Sequence, residues 1–342
     1  MATIRSIAKQ ANVSIATVSK VLNGKNGVKE ETRQLILNVA QELNYRPNLN
    51  ARSLKSGIAR TIGIIAEDLT VFNTPEIIDG IAVGCDRVGY HYILANLRLF
   101  KRFGHRMPDS ATHAALIREA LDTLLSKQVA GVIYIGSHSH QVPLLAEYDE
   151  LPFVCAYCTC DSLPSVVYDD ETASYDLTER LLQNGAERIG MITGPVDSLH
   201  SMSRARGLMR ALYDHRVPYN PTLTLTGDWE RDSGYRLAAQ LLDAGVNAIY
   251  AQNDDMALGV LDCCSARGVA VGRELQLVGF DNRDICQVCR PRLSTVALPL
   301  FEIGQTAASH ILKLISEGEP PALLTKLPCT FIERESTLRK EG

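Results

Sequence analysis

Ten Lys and Arg face three Asp and Glu within the first sixty residues, a balance of about +7, whereas the rest of the chain holds 25 against 36, about −11. The formal charge of −4 over 342 residues therefore averages two oppositely charged parts. A compact basic segment neutralises phosphates and gains affinity by releasing counterions, while an acidic remainder keeps the other surfaces off a polyanion. A second kind of chemistry sits inside that segment. Ile15 and Ala16 offer apolar contact of the sort a thymine methyl accepts, and Lys20 is the one strong hydrogen-bond donor beside them.

Short helices must present these side chains. Thr3 is a good N-cap, and Ile4, Ile7, Ala8 and Ala11 recur at helical spacing behind it. Asn12-Val13-Ser14 breaks that helix, and Ser14 can cap a second one from Ile15 to Leu22. Val18, Val21 and Leu22 then face inward, leaving Ile15, Ala16, Thr17, Ser19 and Lys20 outward. Two such helices joined by about three residues form the helix-turn-helix unit that inserts into DNA. A third helix is expected over 29–44, closing the core with Leu35, Val39 and Leu43, and with Ile36 and Ala40 beside them.

Pro47 ends that third helix, Asn48 or Asn50 can cap again, and Gly57 stops whatever begins. At most two helical turns fit between them, too few to be stable in water without a supporting partner. Leu54, flanked by Arg52 and Lys55, suits a wedge pushed between base steps from the minor groove, and equally an incidental leucine in a linker.

From Thr61 onward, short apolar runs alternate with helical stretches: 62–66, 92–95, 131–135, 153–157, 189–192, 248–251 and 277–280. Two-sided apolar strands separated by helices mean parallel sheets covered on both faces, and there are too many for one comfortable sheet. The turn-rich stretch 158–165 divides the series in two, so a cleft at the carboxyl ends of the strands is the expected ligand site. The composition, 46% hydrophobic and 22% charged, is that of an ordinary globular chain. Neither a signal peptide nor an 18-residue apolar run occurs, so a cytoplasmic protein with no membrane contact is expected.

Nine cysteines in such a compartment are expected to be free thiols. Cys155, Cys158 and Cys160, with Cys286 and Cys289, fall on either side of the expected cleft, and His138 and His140 lie on a nearby loop. These pairs could make a zinc or redox site only if the lobes brought them together, and no local segment has structural-zinc spacing. No metal or other cofactor is therefore assigned. Dinucleotide-binding glycines, a P-loop and a nucleophile elbow are all missing, so no enzyme is expected.

The chain resembles the lactose/galactose-repressor (LacI/GalR) family from about Thr3 to Arg339. The resemblance rests on Val13-Ser14-x-x-Thr17-Val18-Ser19-x-Val21-Leu22-Asn23, on Glu42-Leu43-Asn44-Tyr45-x-Pro47-Asn48, on Ala51-Arg52-Ser53-Leu54, and on Asn253-Asp254-Asp255-Met256-Ala257-Leu258-Gly259 and Val278-Gly279-Phe280-Asp281-Asn282. It implies an all-α helix-turn-helix domain (1–46), a hinge helix and linker (47–60), and a two-lobed α/β core like the periplasmic sugar-binding proteins (61–342). The first lobe would take about 61–160 and 293–323, the second about 163–289 and 326–340, with crossings near 160, 290 and 325. Ile15, Ala16 and Lys20 would read bases in the major groove. Ser14, Thr17, Tyr45 and Asn48 would meet phosphates, with Thr3 and Ala51 at the same interface, and Leu54 would be the paired minor-groove wedge. A homodimer on a pseudo-palindromic operator, acting as a repressor, would follow.

By the same resemblance Arg204, Trp229, Asn253 and Asp281 line the effector pocket, a set suited to a polar ligand such as a sugar or sugar-like metabolite. Three departures fall in the first lobe: Tyr157 stands where an aspartate is usual, Val71-Phe72-Asn73 replaces an Asn-Pro-Phe-Phe run, and Leu97 to Pro108 is longer and more basic than usual. Phe72 and Tyr157 are expected contacts there, and the insertion is expected to be a solvated excursion.

Overall fold

The computed structural model describes residues 3–22, 24, 26–45, 60–104, 108–143, 148, 150–160, 162–318 and 322–337. The chain divides into a unit of residues 1–59 and a unit of residues 60–342.

In the first unit, α1 (Ile4–Gln10), α2 (Ile15–Leu22) and α3 (Glu30–Glu42) surround a core of Ile7, Ala8, Ala11, Val18, Val21, Ile36, Val39 and Ala40. The Thr3 hydroxyl accepts the Ser6 N–H while the Ser6 hydroxyl accepts the Thr3 N–H, a reciprocal cap that fixes the start of α1. Ser14 caps α2 by accepting the Thr17 N–H at 3.0 Å. Leu35 corrects the expected pattern, because α3 turns Ile36 inward at 0% exposure and leaves Leu35 47% exposed. On α3 the buried stripe is Ile36, Val39 and Ala40, at spacings of three and four residues, and Leu35 falls to one side of it.

The second unit holds two parallel sheets. The first has the order β13-β7-β5-β3-β1-β2, from β1 (Thr61–Ala66), β2 (His91–Asn96), β3 (Gly131–Ile135), β5 (Phe153–Ala156), β7 (Ser165–Tyr168) and β13 (Leu324–Leu327). Helices α4 (Thr74–Asp86) and α12 (Leu300–Glu317) cover one face, and α6 (Ser110–Leu125) the other. The second sheet has the order β11-β10-β8-β9, from β8 (Ile189–Thr193), β9 (Thr224–Thr226), β10 (Ala248–Ala251) and β11 (Gln276–Val278). It lies between α7 (Asp170–Gln183) with α8 (Leu199–Asp214) and α9 (Arg231–Asp243) with α10 (Asp254–Arg267). Burial on both faces explains why β1, β3, β8 and β10 read as unbroken apolar runs.

β7 and β13 belong to the first-lobe sheet, which corrects the expected lobe boundaries. β7 pairs with β5 and with β13, so the chain leaves the first lobe after Tyr168, not near 160. β12 (Thr295–Ala297) and β14 (Thr330–Ile332) form a separate antiparallel pair that carries the other two crossings, past 290 and 325. Ser165 to Tyr168 is only four residues long and follows turn residues, which hid it from periodicity.

The basic insertion is not a simple solvated excursion. Leu97 and Leu99 are 5% and 3% exposed, the Leu99 N–H is held by the Glu67 carbonyl, and α5 (Leu99–Phe103) begins there. Two leucines in the insertion give it an apolar foothold against the end of β1. Residues 105–107 lie outside the described residues.

Candidate DNA-reading face and interlobe site

The α2 helix presents Ile15, Ala16 and Lys20 to solvent, with Ile15 51% exposed, while Val18 and Val21 anchor its other side. Leaving an isoleucine half outside costs apolar burial unless a partner covers it. Thr17 is half-buried and shares a 2.8 Å hydrogen bond with the Ser14 hydroxyl. Tyr45 is half-buried against the three-helix core, and its N–H is accepted by the Ala40 carbonyl. Asn48, Ala51 and Leu54 lie outside the described residues.

Between the lobes, Arg204 is 2% exposed and its guanidinium is held entirely by protein. Nε donates to Asp170 Oδ1 at 2.7 Å, one terminal nitrogen to the Gln252 carbonyl, and the other to the Tyr168 hydroxyl at 2.8 Å. The group also lies 3.7 Å from the centre of the Phe280 ring. Arg204 thus joins β7 of the first-lobe sheet to α7 and to the residue after β10.

Two carboxylates face this guanidinium with opposite results. Burial pushes the Asp170 carboxyl up, but His200 and Arg204 outweigh it and hold it below the ordinary range. Asp281 sits 3.8 Å from Arg204, too far to share its hydrogen bonds, and burial pushes its carboxyl well up. Asp254, buried at the start of α10, is raised by burial to about 6 even though it accepts from the Thr295 hydroxyl and the Arg283 N–H. Gly279 must be glycine beside it, since a Cβ there would come 2.2 Å from Asp254 Oδ1.

Asn253 spends its side chain on structure. Its oxygen caps α10 through the Met256 N–H, and its nitrogen donates to the Trp229 carbonyl at 2.9 Å. Trp229 is half-buried with its ring over Gly194, where a Cβ would stand 2.0 Å from the indole. Tyr157, Trp229, Asp281 and Asn282 all have positive φ, at 66°, 72°, 108° and 54°. Non-glycine residues enter this region at a cost, and such residues concentrate at binding sites.

On the first-lobe side, Tyr157 is 4% exposed and its ring is tilted against the stacked Tyr168 and His200 rings, with centres 5.4 and 5.7 Å away. Phe72 lies across the cleft from Arg283, whose guanidinium is 5.1 Å from its ring centre. His200, which drew no attention in the sequence, is the main lobe-to-lobe link. Its Nε2 accepts the N–H of Ser139 at 2.9 Å, and its Nδ1 faces Asp170 at 2.7 Å. Tyr168, the last residue of the short strand β7, and Asp170 just beyond it were missed with that strand, and Glu67 was missed although it directly follows the first apolar run.

The cysteines correct the expectation that all are free thiols. Cys155 and Cys160 are joined as a disulfide, because the reversal at Tyr157 folds β6 (Thr159–Cys160) back beside β5. Cys158 packs in the first-lobe core with that pair, whereas Cys286 and Cys289 pack in the second-lobe core, so the two sets do not converge on one metal.

A helix-turn-helix unit followed by a two-lobed α/β core with a polar interlobe site defines a DNA-binding transcriptional regulator. Residues 3–48 match the family described as bacterial regulatory proteins, lacI family, and residues 178–337 match the periplasmic binding protein-like domain. Catabolite control protein A of Priestia megaterium is 31% identical over 341 residues, 98% of this chain and 99% of that protein. The crystal structure of the lac repressor dimer bound to operator and the anti-inducer ONPF superposes with a TM-score of 0.81 at 25% identity, covering 99% of both chains. The transcriptional regulator CelR in complex with cellobiose superposes at 0.66 with 25% identity, covering 98% of this chain and 100% of that one. The chain belongs to the lacI family of bacterial regulatory proteins.

Proposed function

We propose that this regulator is a repressor that binds a pseudo-palindromic operator as a homodimer in the cytoplasm, gated by a small sugar or sugar-like metabolite between its lobes. The observation that carries the reading is the set of positive-φ residues, Tyr157, Trp229, Asp281 and Asn282, around an Asp281 carboxyl that is in ionic contact with Arg204 at 3.8 Å but makes no hydrogen bond to it. That carboxyl is free to bond a hydroxyl, and the indole offers a flat apolar face to a pyranose-like ring. The cellobiose complex of CelR and the operator complex of the lac repressor favour the same ligand classes. Arg204 and Asn253 support the pocket walls, and Phe72 and Tyr157 line the opposite side. Ligand-driven movement of the lobes reaches DNA through residues 47–60, a coupling of roughly 1 to 3 kcal/mol in systems of this kind.

Genomic fragments captured by the purified full chain, with and without a panel of sugars, test this reading. The expected result is a pseudo-palindrome whose capture changes with one sugar class, and loss of that change in Asp281→Ala. Capture of no common sequence under any condition overturns the operator reading; a sugar response that survives Asp281→Ala overturns the pocket. Leu54→Ala in the same assay should lower capture strongly and leave sugar binding unchanged.

A further inference from the structure

Glu67, at the end of β1, is 0% exposed and has gathered an unusual set of neighbours. Its Oε2 accepts the N–H and the hydroxyl of Ser137 at 2.7 and 2.6 Å. Its Oε1 accepts the Tyr134 hydroxyl at 2.8 Å and also lies 2.8 Å from His140 Nε2 and 3.6 Å from His113 Nε2. The carboxylate oxygen and the two imidazole nitrogens lie within 4.8 Å of one another.

The proton on His140 is assigned by its other nitrogen. Nδ1 is 2.9 Å from the His138 carbonyl, which can only accept, so Nδ1 carries hydrogen. In the neutral ring Nε2 then presents a lone pair. At 2.8 Å from the carboxylate it is in ionic contact, yet it makes no hydrogen bond of acceptable geometry. A lone pair this close to a carboxylate oxygen is repelled unless a cation lies between them, either a proton on Nε2, which the Glu67 carboxylate favours, or a bound metal. A ring Nδ1–H given to a backbone carbonyl is also the outer-shell bond that orients metal-ligating histidines.

We propose that Glu67, His113 and His140 form a binding site for a divalent transition metal of the zinc class. Two imidazoles and one carboxylate select zinc or cobalt over the all-oxygen cages preferred by calcium and magnesium. Metal–ligand bonds of about 2.0 to 2.1 Å set tetrahedral edges of about 3.3 Å, so the triangle closes with movements of about an ångström. The Tyr134 hydroxyl donates to Glu67 and so accepts from His113 Nε2–H, each at 2.8 Å, and a bound metal would take the place of that His113 hydrogen. Glu67 and His113 come from a strand end and from α6, which makes two of the three ligands rigid. The His140 side chain is 16% exposed although its Nε2 is buried, so the outer edge of this ring is the part of the site nearest solvent. All three ligands lie in the first lobe, so the site is independent of the effector reading.

The full chain, stripped with a chelator, is titrated with cobalt(II) and with zinc, and metal is counted per chain after gel filtration. One equivalent is expected, with a visible cobalt spectrum lacking a sulfur-to-metal charge-transfer band. Loss of a direct ligand in His140→Gln or His113→Gln should weaken binding by more than the roughly 10- to 100-fold typical of outer-shell changes, while Cys286→Ser binds as wild type. Zinc should raise the thermal midpoint of the wild type and of Cys286→Ser, and leave that of the two histidine variants unchanged. Failure of the wild type to retain stoichiometric metal, a thiolate band, or unchanged affinity in a folded His140→Gln protein overturns the site. The wild-type stoichiometry and spectrum decide alone if both histidine variants fail to fold.

Discussion

The Nε2 atom of His200, on α8 of the second lobe, accepts the backbone N–H of Ser139, on a first-lobe loop, at 2.9 Å. Because Nε2 accepts, the hydrogen of the neutral ring belongs on Nδ1, which points at Asp170 Oδ2 from 2.7 Å. One imidazole thus reads both lobes, and its tautomer is fixed by the pairing.

His200→Ala removes both bonds and leaves the Asp170 carboxylate with one cationic partner. Hydrogen bonds to charged groups are worth about 1.5 to 3 kcal/mol, so urea unfolding should show a loss of about 2 kcal/mol or more. A midpoint equal to wild type would remove His200 from the interlobe link.

Arg204 offers a sharper case. Its removal strands Asp170 in a buried site, and breaking a buried pair costs about 3 to 5 kcal/mol. Arg204→Ala should therefore lose stability before it loses ligand. Arg204→Lys should recover little, because one ammonium cannot reach Asp170, the Gln252 carbonyl and the Tyr168 hydroxyl with the geometry of a planar fork. Thermal unfolding of the two variants against wild type checks this, and a lysine variant as stable as wild type would count against the fork.

Trp229 is the one tryptophan of the chain, so its emission reports the interlobe site alone. Gly194→Ala places a methyl 2.0 Å from the indole and forces the ring to move. The emission maximum should shift, and affinity for the effector should fall with little change in DNA binding by the separate basic unit. Identical emission spectra would show that the ring does not rest on Gly194.

The sequence carried the central strands because burial on both faces writes itself as apolar runs, as in β3 and β10, whose ends match the expected ones. Helix α2 was legible from Ser14 to Leu22 because cap and period coincide. What escaped was short or long-range. β7, Ser-Val-Val-Tyr after a turn-rich stretch, and β14, Thr-Phe-Ile, each open on a hydroxyl residue and did not stand out as apolar runs. Glu67, His113 and His140 are separated by tens of residues and meet only when β1, α6 and the loop after β3 assemble. Arg204 was visible as a charged residue in a motif, but its saturation by protein partners could not be seen until Asp170 was placed.

Lys20 is the only one of the three outward residues on α2 with strong hydrogen-bonding capacity. Lys20→Ala should cost about 1 to 3 kcal/mol on the cognate operator if it bonds a base edge, and should relax the preference at that base pair. A loss equal on cognate and scrambled duplexes, with a shallower salt dependence, would assign Lys20 to phosphate instead. Competition binding at two salt concentrations separates the two outcomes.

Acid stability should depend on Asp170. Its folded carboxyl is held below the unfolded value of 3.8 by His200 and Arg204 despite burial, so the unfolded chain takes up its proton first as pH falls. The stabilisation is fully present above about pH 5 and drains away through pH 4 and below. Tyr168, Asp281 and Cys329 also surround the pair, and Asp254, raised to about 6, acts in the opposite direction, gaining stability as pH falls through 6 towards 4. A wild-type curve by itself mixes these contributions. The difference between wild type and Asp170→Asn cancels those that the two proteins share. Urea unfolding from pH 7 to pH 3 should show the variant less stable at neutral pH, with the gap narrowing only below about pH 4. A gap that stays constant with pH would mean that Asp170 is not ionised against Arg204 and His200 in the folded protein.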